Sequence, residues 1–240
     1  MTRREFKKLP SVWIREGGLK AFQWTSGTGS GSDNTAALMV LMAITHHIDE
    51  DTGVAALTYD SLQEATNLSR AKISGGLKVL IALNRIVKDI EGQSTYGLVD
   101  YDPYRNWCKI PISKLYQGNR IYPLQDFKLR SIVELHALKV YFLLLAQRGT
   151  DTNQANISLL KIHEKTGVPS HRLKTALSHL TVRSMIYTER TPSMKDPSHT
   201  ANAYRIVGID PYRHDGTRSE DEHIREVDFT SYQRSSPKSY

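Results

Sequence analysis

"LTYDSLQEATNLSRAKISGGLKVL" occupies residues 57–80, and "ISLLKIHEKTGVPSHRLKTALSHL" occupies residues 157–180. The two stretches lie 100 residues apart and share their apolar positions: Leu57 with Ile157, Leu62 with Ile162, Leu68 with Val168, Ile73 with Leu173, Leu77 with Leu177 and Leu80 with Leu180. Each reads as a short helix, a tight turn and a longer helix. Thr58 and Ser158 carry hydroxyls that can accept from an orphan N–H of the first helical turn, so each suits an N-cap. Gly167 stands where the short helix must end and tolerates the left-handed conformation used there. Asn67, the next best residue for that conformation, holds the same place in the first copy. The longer helices open at Ser69 and near Ser170 and end at Asn84 and Ser184. Ile73, Leu77 and Leu80 recur at i, i+4, i+7, as do Leu173, Leu177 and Leu180, which puts each trio on one helix face.

The correspondence extends outward in both directions. "ALMVLMAI" (37–44) matches "ALKVYFLL" (137–144), Asp51-Thr52 matches Asp151-Thr152, and "KLP" (8–10) matches "KIP" (109–111). Helices from Ala36 to about Ile48 and from Val133 to about Arg148 are apolar nearly all round, as central core helices are. Polar loops follow them. After each longer helix come two strand-like runs around a polar turn: "IVKDI" (86–90) with "YGLVDY" (96–101), and "MIYTER" (185–190) with "AYRIVGI" (203–209). The phrases "YGLVDYDPYR" (96–105) and "YRIVGIDPYR" (204–213) end the two copies 108 residues apart, so the second hairpin is the longer one. Asp102 and Asp210 read as turn caps. The predicted fold class is α+β: one unit in residues 1–105, a second in 106–213, and a polar, disordered tail in 214–240.

Two helices across a glycine-type turn, followed by a β-hairpin, resemble a helix-turn-helix with a wing. Nearly the whole chain is thus similar to tandem winged-helix proteins. Two such units in this length, each with a "KLP" or "KIP" entry, most resemble plasmid replication initiators. That resemblance implies sequence-specific binding of double-stranded DNA at origin repeats and recruitment of a replication helicase by protein contact. It also implies autorepression, no cofactor and no catalysis. A transcriptional regulator of the same fold shares this chemistry. Tandem winged helices also serve as protein-interaction subunits of chromosome-organising or partition complexes.

Charge is distributed unevenly. Lys+Arg exceed Asp+Glu by 7 over the chain, 12 against 12 in residues 1–105, 16 against 7 in 106–213 and 4 against 6 in 214–240. No acidic residue occurs from Ala65 to Lys88 or from Lys165 to Thr188, the same 24 positions of the two copies. A surface that approaches phosphates excludes carboxylates. The outward positions of the longer helices supply the candidate DNA contacts: Ser69, Arg70, Lys72, Ser74 and Lys78 in the first, Ser170, His171, Arg172, Lys174, Thr175 and Ser178 in the second. Lys88 in the first wing, and Arg190 and Lys195 in the second, extend that surface. Arg, Ser and Thr can read base edges, whereas Lys and helix N-terminal N–H groups hold phosphates. The neutral first unit suits dimerisation or partner binding and the basic second unit suits the main reader. Gly75 and Gly76, unfavourable inside a helix by about 1 kcal/mol each, fit a close approach to another helix or to DNA.

Other signals carry less. "TSGTGSGSDN" (25–34) lacks the lysine of a phosphate loop and reads as a flexible connector. His46 and His47 end the first core helix, where positive charge suits the dipole. Trp13, Trp24 and Trp107 read as core anchors, and the tail's Phe229 and Tyr232 are isolated. No metal-ligand spacing and no carboxylate pair for acid–base work is present. Cys108 is the single cysteine, so no intrachain disulfide forms, and a reducing cytoplasm, associated with nucleoid or plasmid, is the expected compartment. No run reaches the ~18 apolar residues of a membrane span.

Overall fold

The computed structural model describes residues 5–25, 30–90, 92–149, 152–192 and 200–209. Lys195, Asp210 and the tail 214–240 therefore lie outside the described residues. The chain is mixed α+β, with small antiparallel sheets. Its first half runs β1 (Phe6–Pro10), α1 (Val12–Arg15), a 3-10 turn (Gly18–Ala21), α2 (Ser30–His47), β2 (Val54–Ala56), α3 (Tyr59–Thr66), α4 (Arg70–Ala82), β3 (Ile86–Lys88) and β4 (Thr95–Leu98). The second half runs β5 (Trp107–Pro111), β6 (Tyr116–Gln117), β7 (Arg120–Ile121), a 3-10 turn (Tyr122–Leu124), α5 (Ile132–Gln147), β8 (Gln154–Asn156), α6 (Leu159–Thr166), α7 (Ser170–Val182), β9 (Ile186–Pro192) and β10 (Thr200–Ile206). Both halves close into a three-stranded antiparallel sheet of the same order, β2-β4-β3 and β8-β10-β9.

Several boundaries depart from the sequence reading. Helix α2 begins at Ser30, six residues before Ala36 and inside the expected connector. Packing explains this: a Cβ on Gly31 would meet the Trp24 ring at 2.6–3.0 Å, so only glycine lets that first turn lie on the indole. Asp33 in the same turn also suits the positive end of the helix. The polar loops after α2 and α5 contain the short strands β2 and β8, recruited by pairing to β4 and β10. In the first copy the DPYR phrase (102–105) follows the strand rather than forming it. Strand β4 stops at Leu98, and Asp102 Oδ1 accepts from the N–H groups of Tyr104 (2.8 Å) and Arg105 (3.3 Å), the turn cap its sequence suggested. Strands β9 and β10 run seven residues each, against three and four in β3 and β4, so the second hairpin is the longer.

The entry strands pair with one another. β1 and β5 form an antiparallel ribbon with Phe6 opposite Pro111, Lys7 opposite Ile110, Lys8 opposite Lys109, Leu9 opposite Cys108 and Pro10 opposite Trp107. Adding 101 to each β1 number gives its KIP counterpart, and that operation maps the ribbon onto itself: Phe6–Pro111 becomes Trp107–Pro10. The cation–π contacts are exchanged in the same way, Lys8 over Trp107 at 4.9 Å and Lys109 over Phe6 at 4.3 Å. Local two-fold pseudosymmetry thus passes between Lys8 and Lys109.

Both core helices end at this ribbon. His46 Nε2 lies 3.0 Å from Pro111 O, and Arg15 Nε donates to Ala146 O at 2.9 Å near the end of α5. Packing then proceeds outward in the order α4, α2, α5, α7. One continuous apolar core crosses the middle, with Leu38, Met39, Leu41, Met42, Tyr141 and Phe142 each almost wholly buried. Burial on all sides is what the unbroken apolar runs of α2 and α5 require. After the ribbon each entry segment crosses to the other half as an arm. Phe22 O accepts from the buried Lys139 Nζ of α5 (2.9 Å), while Tyr116 OH lies 2.6 Å from His47 Nε2 at the end of α2.

Candidate nucleic-acid interface

In each half a short helix is followed by a tight turn and a longer helix, α3 then α4 and α6 then α7. Thr58 Oγ1 accepts from Ser61 N (3.1 Å) and Ser158 Oγ from Lys161 N (3.2 Å), so each hydroxyl caps its short helix. Asn67 and Gly167 end those helices at φ 59° and 68°. A further shared device is a threonine one residue earlier. Thr66 and Thr166 hydroxyls donate to Leu62 O and Ile162 O, both at 2.6 Å, and accept from Leu68 N (3.4 Å) and Val168 N (3.1 Å). The identical spacing of these threonines in the two copies was visible in the sequence, and their full burial was not. Ser69 caps α4 through Lys72 N (3.4 Å), whereas α7 has Pro169 at its cap and Ser170 inside the first turn.

The two long helices differ in what their polar faces meet. On α7, Ser170, His171, Arg172, Lys174, Thr175 and Ser178 are all exposed. Among the described residues no carboxylate pairs with Arg172 or Lys174; the Arg172 guanidinium leans on His171 (3.4 Å). On α4, acids from neighbouring elements reach the helix that has none of its own. Arg70 pairs with Asp60 of α3 at 2.5 Å. Lys72 pairs with Asp33 (2.8 Å) and donates to Ser32 Oγ (2.6 Å), both in the first turns of α2. Ser69 and Lys78 are exposed, but Lys72, Ser74 and Gly75 are half-buried rather than facing outward as expected, because the start of α2 lies against them. Lys88 is exposed beside Asp89 (3.2 Å). Arg190 lies in β9, and the structure describes only its backbone.

Both glycines of α4 are explained by α2. A Cβ on Gly76 would lie 2.9 Å from Ala36 C and Ala37 N, so glycine permits the helix crossing, the first of its two sequence readings. A Cβ on Gly75 would lie 2.7 Å from the Asp33 carboxylate, so its neighbour is an acid of the same chain.

Some cations of the acid-free windows are structural. Arg85 stacks on Trp13 at 4.7 Å and Arg183 on Phe127 at 5.2 Å. His179 packs edge-on against Phe127 at 5.4 Å, and burial, with Arg183 adding to it, pushes its pKa down to about 4. At neutral pH it carries no charge. The same holds at the end of α2. Burial first, then the neighbouring His47 and Lys7, hold His46 down to about 3, so it is a neutral donor to Pro111 O rather than the expected helix-end cation. Burial likewise lifts the Cys108 thiol up to about 12.

The first turns of α4 and α7 share one end of the molecule. Lys72 sits on the start of α2, and Arg172 and His171 lie near enough to His136, at the start of α5, to depress its pKa after burial has done so. With the far ends of α2 and α5 on the ribbon, the starts of both long helices lie away from it. Among the described residues no group of three or more His, Cys, Asp or Glu could hold a metal ion, and no helix is long and apolar enough to cross a membrane. No family model, curated protein or solved structure matches this chain.

Proposed function

We propose that this chain binds double-stranded DNA through two tandem winged-helix units, residues 1–105 and 106–213, in the manner of a plasmid replication initiator. The observation that carries the reading is the polar face of α7. Six exposed side chains there combine base-reading and phosphate-holding chemistry, and no carboxylate pairs with its cations among the described residues. The shared placement of the first turns of α4 and α7 at the end opposite the ribbon supports one duplex for both units. The β3–β4 and β9–β10 hairpins, which directly follow α4 and α7, support a role as wings. The second unit is the main reader, since the first spends Arg70 and Lys72 on internal pairs. Self-association through the first unit and contact with a replicative helicase complete the proposed role.

The test is binding of the full chain to duplexes from its own replicon, titrated with salt. Tight binding to repeated origin sites, with a log–log salt slope of several units in magnitude, supports the initiator. Tight binding confined to a single promoter operator converts the reading into a transcriptional regulator. Binding no stronger than to unrelated duplex of the same length sinks sequence-specific recognition and favours an interaction subunit.

A further inference from the structure

Each turn between short and long helix is bordered by an arm from the other half of the chain. At the first turn, Asn67 Nδ2 donates to Gln125 O and Gln125 Nε2 donates back to Ala65 O, both at 3.0 Å. The same arm brings Arg120 and Lys128 to a hollow of about 490 Å³ that Asn67 also lines. At the second turn the visitor is Lys20. Its Cγ rests 3.4 Å from where a Cβ of Gly167 would sit, and Gly17 packs beside Lys165 O. Lys20, Arg120 and Lys128 are all exposed, and among the described residues no carboxylate pairs with them.

We propose that these arm cations are phosphate contacts supplied crosswise: Lys20 holds the backbone of the duplex segment read by α7, and Arg120 with Lys128 holds that read by α4. The inference rests on α4 and α7 being the duplex-facing helices. In a helix-turn-helix the first helix crosses the DNA backbone and the second enters the groove, so cations beside the turn meet phosphates at the groove edge. The arrangement also answers a local deficit. Arg70 and Lys72 are engaged with Asp60 and Asp33, so the first turn depends on charge from the second half. Glu64 and Asp126 line the same hollow and temper its field; Glu64 is held by Asn119 Nδ2 at 3.3 Å. Interleaved arms make each reading surface a product of both halves, so the two units cannot be exchanged or separated without losing phosphate contacts.

The test uses the full chain and a mixed-sequence duplex of about three helical turns. Each phosphate contact contributes about 0.9 to the log–log salt slope, so Lys20→Ala lowers its magnitude by about 0.9 and Arg120→Ala with Lys128→Ala by up to about 1.8. Lys20→Arg keeps the slope. Lys114→Ala, exposed near the ribbon end, leaves it unchanged. Phosphate-ethylation interference on a site selected from a random library gives the crosswise signature: Lys20→Ala loses interference in the half-site that Arg172→Ala disturbs. If the arm variants keep the wild-type slope, as Lys114→Ala does, or lose interference in the half-site read by α4 when Lys20 is changed, the inference is overturned while the DNA reading stands. A wild-type chain that binds no duplex removes both.

Discussion

Gly76 shows at the residue scale how a helix-breaking residue can be required inside a helix. Alanine gains about 1 kcal/mol in helix propensity, but its methyl would sit 2.9 Å from the Ala36 and Ala37 backbone, which cannot move without shifting α2. Overpacking of this kind costs about 1–3 kcal/mol, so Gly76→Ala lowers the urea midpoint. Gly75→Ala meets only the movable Asp33 side chain and costs less. A second residue-scale prediction concerns histidine. His46 is held down to about 3, and His136 and His179 to about 4, mainly by burial. Unfolded, each takes up a proton near pH 6.5. The unfolded state therefore binds more protons between those limits, and stability, fully present above about pH 6.5, falls as pH drops toward 4. Thermal melts from pH 7.5 to 4.5 measure that slope, and His46→Gln flattens it.

At the scale of elements, α4 and α7 share spacing and turn geometry yet present different charge. The first turn of α4 is neutralised by Asp33 and Asp60, residues outside its acid-free window in sequence and beside it in space. Replacing Arg172 and Lys174 by alanine therefore weakens duplex binding more than replacing Arg70 and Lys72, by at least tenfold at equal salt; the reverse order would reassign the main reader. Removing Asp60 acts in the opposite sense. Asp60→Asn frees the Arg70 guanidinium and strengthens binding, read as a lower dissociation constant at low salt, because an exposed pair of this type is worth only about 0–1 kcal/mol to the fold.

For the whole molecule, the ribbon and the crossed arms join the two halves, so the two are expected to unfold together. α2 packs on α5, Lys139 is anchored on Phe22 O, and Arg15 caps the end of α5. Unfolding one half therefore strips the arm from the other. Chemical denaturation followed by tryptophan fluorescence, from Trp13, Trp24 and Trp107 in the first half and the ribbon, and by hydrogen exchange in α7 gives coincident transitions. Separate midpoints would mean that the halves are independent domains and that the ribbon is a weak link.

The core helices, the capped turns and the hairpins were legible because each depends on local chemistry: apolar period, a hydroxyl at a cap, a residue that tolerates positive φ. The exposed face of α7 was legible because its apolar period alone set which side is buried, and no distant element covers the opposite side. The state of α4 was not, because Asp33 and Asp60 reach it only through helix packing. The β1–β5 ribbon and the crossing arms were equally hidden, since strand partners about 100 residues apart leave no local trace. Sequence by itself determined the elements and their internal faces, through interactions that span a few residues. Tertiary structure alone decided which cations stay free and which half of the chain completes each surface, because electrostatic pairing and strand pairing act between groups that only folding brings together.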